Sequence, residues 1–142
     1  MGEADGYRLG PVQKVRSLDE RAKQGDLAGA VGDAKKTQAK IDAATTRVET
    51  MRAAIQRARG GLMGGSASSV AIADRYLARL RRDLDAALDE LDRASAAHRG
   101  QLDVVDAARA RLVRARADKE IVERHFARWR EDKRKLAERR ED

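Results

Sequence analysis

The stretch Leu77–Leu136 reads LARLRRDLDAALDELDRASAAHRGQLDVVDAARARLVRARADKEIVERHFARWREDKRKL. Stepping through it by alternating threes and fours gives two interleaved series. One is Leu77, Leu84, Leu91, His98, Val105, Leu112, Lys119, Phe126 and Lys133. The other is Leu80, Ala87, Ala94, Gln101, Ala108, Ala115, Val122, Trp129 and Leu136. A sustained heptad of mostly apolar residues, flanked by charge and free of proline, predicts a coiled-coil helix. Such a helix cannot bury its stripe against itself, so it needs a partner.

The partner is upstream in the same chain. From Leu27 a second heptad runs through Leu27, Ala34, Ile41, Val48, Ile55 and Leu62, with Ala30, Thr37, Ala44, Met51 and Ala58 as companions. Between the two heptads, Gly60, Gly61, Gly64, Gly65, Ser66, Ser68 and Ser69 form the strong breaker cluster of the sequence. Two helices joined by a short loop fold back as a helical hairpin. The fold class expected is therefore all-α, a two-helix antiparallel coiled-coil hairpin in a single domain over residues 1–142. Helix 1 is expected over about 8–60, a Gly/Ser loop over about 61–69 and helix 2 over about 70–138, with Ser69 as N-cap.

Large and small seam residues fix the register. Pairing positions whose numbers sum to 135 sets Ile55 against Leu80, Val48 against Ala87 and Ala58 against Leu77. Large then meets small in most layers, which fills space at close helix separation. The polar seam residues Thr37 and His98 fall opposite one another, and a polar layer of this kind fixes register.

The amino-terminal part is less regular. Residues 1–6 read as a frayed start. Pro11 suits a first helical turn, where its missing N–H costs nothing. Val12, Val15, Leu18 and Ala22 mark a first apolar stripe. Gly25, Gly29 and Gly32 then weaken the helix, by roughly 1 kcal/mol each against alanine. This stretch reads as a slack part of a continuous helix, the sharper alternative being a hinge or a close backbone approach.

Composition excludes several function classes. The chain has 142 residues, 39% of them charged and 3% aromatic, with one proline and no cysteine. That profile belongs to long helices rather than to an enzyme with a deep core. Lack of cysteine removes thiolate chemistry and cysteine-based metal sites. No metalloprotease, P-loop or nucleophile-elbow motif is present. No enzymatic activity, cofactor or metal is expected. No stretch approaches the roughly 18 apolar residues of a spanning helix. The net charge of +7 permits an acidic partner.

The carboxyl-terminal segment is the candidate binding site. With the 135 register, Pro11 falls near Arg124, so helix 2 outruns helix 1. Phe126, Trp129 and Leu136 keep the seam phase there and are expected to lie uncovered, among Arg124, Arg128, Arg130 and Lys133. Tryptophan and arginine together are the composition of interface hot spots.

The sequence resembles the flagellar FliJ family, with the YscO-like injectisome stalks as close relatives. The resemblance rests on Tyr7-Arg8-Leu9, Val12, Val15-Arg16, Leu18 and Glu20, on the hairpin and its Gly/Ser loop, and on Lys119, Glu120, Phe126, Trp129 and Arg130. It implies a cytoplasmic part of the type III export apparatus, membrane-associated through that apparatus. It implies three partners: the FliI-like hexameric export ATPase, for which the protein is the central stalk, the FlhA-like export-gate protein, and export chaperones. The family's gate-contacting pattern, Leu-x-x-Ala-x-x-x-His, is matched by Leu91, Ala94 and His98, although Ala87 stands where the family has an aromatic. The alternative function is a basic coiled coil that binds nucleic acid. Acids such as Glu131, Asp132 and Glu138 interrupt the basic carboxyl end and count against it.

Overall fold

The computed structural model describes residues 6–61 and 65–142. Of the expected frayed start, residues 1–6, all but Gly6 lie outside the described residues, as do the loop residues Leu62, Met63 and Gly64. The protein is an all-α helical hairpin of two long helices, α1 (Gly10–Gly60) and α2 (Ala67–Glu141). Contacts gather in two units: Gly32–Asp103, and Met1–Val31 with Val104–Asp142.

In the Gly32–Asp103 unit the predicted seam is the core. Ala44, Val48, Ile55, Leu77, Leu80 and Ala87 are buried. Ile55, Leu77 and Leu80 form one cluster, with Ala54, Ala58 and Leu84 packed on it. Thr37 Oγ1 meets His98 Nδ1 at 2.7 Å, so the 135 register holds at its polar layer. Arg47 pairs with Glu90 across the helices at 2.6 Å.

The start of α2 lies earlier than expected. Its N-cap is Ser66, not Ser69: Ser66 Oγ accepts from the Ser69 amide at 3.3 Å and contacts Ser69 Oγ at 2.8 Å. Ser66 is placed to satisfy one of the free amides of the first turn, and Ser69 then sits inside the helix.

In the other unit Ala30, Val105, Ala108, Leu112, Ala115 and Val122 are buried. The α1 seam differs here from the expectation. Val15 and Leu18 point outward, 61% and 63% exposed. Gln13, Arg16, Glu20 and Lys23 occupy the half-buried positions instead. The phase set by Leu27 and Ala30, carried back by heptads, selects these polar positions. Ion pairs then replace apolar layers. Glu20 bonds Lys119 Nζ at 2.8 Å and Arg116 Nε at 3.4 Å, and Arg16 pairs with Asp118 at 3.5 Å.

Gly25, Gly29 and Gly32 lie within α1, and an added Cβ on any of them would meet nothing within 4 Å. The stretch is continuous helix, and no backbone approaches it closely.

Candidate partner-binding site

Residues ahead of α1 fold over the far part of α2. The Gly10 amide bonds the Tyr7 carbonyl at 3.1 Å, and the Gln13 amide bonds the Leu9 carbonyl at 2.9 Å. The first bond closes a turn over residues 7–10, and the second opens the helix with Pro11 in its first turn, as its fixed φ favours. The turn directs Tyr7 onto α2.

Tyr7 is buried, 5% exposed. Its ring centroid lies 4.8 Å from that of Phe126 and 5.1 Å from that of Trp129. Phe126 and Trp129 stack on each other at 5.7 Å with planes 20° apart. The Tyr7 hydroxyl meets His125 Nδ1 at 2.8 Å. The expectation that Phe126 and Trp129 lie bare is therefore corrected. Both are half-buried, because an aromatic stripe in seam phase takes whatever apolar cover the chain offers, and Tyr7 supplies it. Three rings in contact stabilise the junction beyond their simple burial, by about 0.5–1.5 kcal/mol per pair.

Cations complete the platform. Arg130 lies over the Phe126 ring at 5.6 Å, and Lys133 over the Trp129 ring at 4.9 Å. Such contacts hold a long side chain against a ring while its charge still faces water. Arg124 is engaged by Glu120 at 2.6 Å. Arg128 is exposed. Leu136 is the seam-phase residue that does remain bare, 53% exposed. A shallow groove beside it is lined by Trp129, Arg130, Lys133, Arg134 and Ala137. From Glu131 to Asp142 every residue is exposed.

This arrangement gives a helical end with a fixed aromatic base, a basic margin and one exposed leucine. It has the makeup of a protein contact surface, in which a few aromatic and arginine anchors carry the affinity. The sequence missed the contribution of Tyr7. The signal was there: Phe126 and Trp129 needed cover, and Tyr7 is the large aromatic residue closest in sequence to the start of α1.

The second candidate set, Leu91, Ala94 and His98, lies half-buried along the seam. His98 is held by Thr37. Ala94 also lines an open groove with Lys40, Ala43, Ala44, Arg47, Glu90 and Arg93. The three residues share one side of α2, and only part of each is open to a partner.

Electrostatics are unusual at one place in the unit that carries Tyr7 and Trp129. The Lys119 ammonium, hydrogen-bonded to Glu20, holds that carboxyl below the usual carboxylate range against the opposing effect of burial, and Arg116 adds to the lowering. The same hydrogen bond raises Lys119 above its ordinary value. Among the described residues no cluster of His, Asp and Glu is arranged to hold a metal ion. No helix among them is long and apolar enough to cross a membrane. Compared with known families, curated proteins and solved structures, the chain matches no family model, protein or structure.

Proposed function

We propose that the protein is a FliJ-type interaction protein of a type III export apparatus, the central stalk of its hexameric ATPase and an adaptor to the export gate and export chaperones. The observation that carries this reading is the carboxyl-terminal end of α2. Tyr7 braces Phe126 and Trp129, Arg130 and Lys133 lie on their rings, and Leu136 stays exposed beyond them. A braced aromatic platform loses little side-chain entropy on binding, which favours a tight contact. Its basic margin suits steering toward an acidic rim around the ring's central hole. The partner's identity comes from the sequence resemblance alone.

The outward faces of the same unit add support. Val15 and Leu18 on α1, and Val113 and Ile121 on α2, are exposed large apolar residues. A stalk enclosed by a ring has use for apolar contacts on more than one side, whereas a free hairpin does not. Adaptor contacts with the gate are assigned to Leu91, Ala94 and His98.

The test is a titration of the full chain against the isolated hexameric ATPase over a range of salt concentrations. An aromatic-anchored contact weakens modestly with salt. A phosphate-driven contact with nucleic acid falls steeply, with a slope close to the number of phosphates neutralised. Absence of ATPase binding, together with steep salt-dependent binding of nucleic acid, would replace this reading with the alternative.

A further inference from the structure

The chain's positive charge is not spread evenly. Between Glu49 and Asp83 stand Arg52, Arg57 and Arg59 on α1 and Arg75, Arg79, Arg81 and Arg82 on α2, against one acid, Asp74. That is a net +6 within a chain whose total is +7. All seven arginines are exposed. Among the described residues none of them takes part in an ion pair, whereas Arg16, Arg47, Arg116, Arg124 and Arg134 all do. Unpaired arginines of one sign raise the local potential and bind counter-charge from solution.

Apolar groups stand among these charges. Ile72 is 67% exposed and Tyr76 53% exposed, and Val70 is exposed as well. Ile72, Arg75, Tyr76 and Arg79 are spaced i, i+3, i+4 and i+7, so they share one face of α2. Arg82 continues that face. Arg52 and Arg59 stand one heptad apart on α1, beside the seam. The charge thus forms a collar over both helices at the loop end of the hairpin, with isoleucine and tyrosine between the arginines.

We infer that the last turns of α1 and the first turns of α2 dock on an anionic phospholipid surface, with their arginines on the headgroups and Ile72 and Tyr76 inserted at the interface. This rests on the Gly32–Asp103 unit and is independent of the stalk reading. Basic residues near an anionic leaflet each add to membrane attraction, and their effect fades over a Debye length. Tyrosine favours the headgroup level, and an exposed isoleucine gains by leaving water for the acyl boundary. Nucleic acid would use the arginines but has no use for Ile72 or Val70. A planar anionic surface can take the arginines of that one face on its headgroups while Ile72 and Tyr76 beside them enter the interface.

The experiment is co-sedimentation of the full chain with phosphatidylcholine vesicles, without and with about 30 mol% phosphatidylglycerol. The expected result is binding only to the anionic vesicles. Arg75→Gln with Arg79→Gln and Arg82→Gln should weaken it by roughly 100-fold. Ile72→Ser with Tyr76→Ser should weaken it about tenfold and leave the remainder fully reversible by salt. All five side chains are exposed, so helical circular dichroism should be unchanged. Arg134→Gln with Lys135→Gln, outside the collar, should bind as the parent does. Equal partition to neutral and anionic vesicles, or a triple arginine variant that binds like the parent, overturns the inference. So does tighter binding to a short DNA duplex that ignores the Ile72 and Tyr76 substitutions, which would make the collar a nucleic-acid surface.

Discussion

Thr37 Oγ1 lies 2.7 Å from His98 Nδ1 and 2.9 Å from the Ala34 carbonyl oxygen. A hydroxyl carries one proton. With that proton on the Ala34 carbonyl, Thr37 accepts from His98, and the imidazole carries its proton on Nδ1. The neutral ring is then the Nδ1–H tautomer. Nitrogen-15 NMR of the ring at neutral pH checks this, and an Nε2–H tautomer would reverse the direction of the bond.

The same pair sets the helical register in its unit. Thr37→Val leaves His98 without its partner and should cost about 1 kcal/mol. Adding His98→Leu replaces both polar groups and should recover most of that loss. Urea melts of the two single variants and the double variant measure the coupling. Additive losses would mean the bond contributes nothing to stability.

Glycine limits the stability of α1 with no packing return. An added Cβ at Gly25 or Gly29 meets nothing within 4 Å. Gly25→Ala and Gly29→Ala should each stabilise by about 0.5–1 kcal/mol, read as a rise in melting temperature. A fall would show that a side chain there is not tolerated.

Glu20 and Lys119 give the hairpin a pH dependence with two limbs. Glu20 is lowered, so its contribution is present above its unfolded pKa and is lost as pH falls through the folded value. Lys119 is raised, so its contribution is present below its unfolded pKa and is lost as pH rises through the folded value. Glu20→Gln should lower stability between the two limbs and flatten both, since Lys119 loses the partner that raises it. Melting temperatures across the acid and alkaline ranges test it. An unchanged acid limb in the variant would assign that limb to other carboxylates.

These layers separate what could be read in the sequence from what could not. The α2 seam from Leu77 to Val122 was legible because its apolar period persists over many heptads. The Thr37–His98 layer was legible because two polar exceptions coincided in one register. The first turns of α1 were not. Val12, Val15, Leu18 and Ala22 show helical spacing, but that spacing alone does not say which face meets the partner. Lys119 in the seam was the usable signal, since a half-buried ammonium calls for an acid opposite, and Glu20 supplies it. The cap was ambiguous because Ser66, Ser68 and Ser69 are all competent and only geometry selects Ser66. Tyr7 was missed because heptad arithmetic stops at the end of a helix.

The platform has its own prediction. Tyr7→Ala removes a buried ring and uncovers Phe126 and Trp129. It should cost about 2 kcal/mol of stability. Trp129→Ala should cost about 1–2 kcal/mol, more than an exposed site would. Tryptophan fluorescence should shift to the red in the Tyr7 variant as Trp129 meets water. An unshifted spectrum would show that Tyr7 does not cover the indole in solution.

The central claim is that the far end of α2 binds the hexameric export ATPase, and the direct measurement is a binding titration of that hexamer with Leu136→Ser and Arg128→Glu. Both side chains are exposed and neither belongs to the Tyr7 cluster. Their substitution should therefore change stability by less than about 0.5 kcal/mol. The account predicts that the parent chain binds, and that the double variant melts normally but binds at least about tenfold more weakly, as loss of an interface anchor does. Parent and variant binding equally well, or neither binding the hexamer at all, would contradict it.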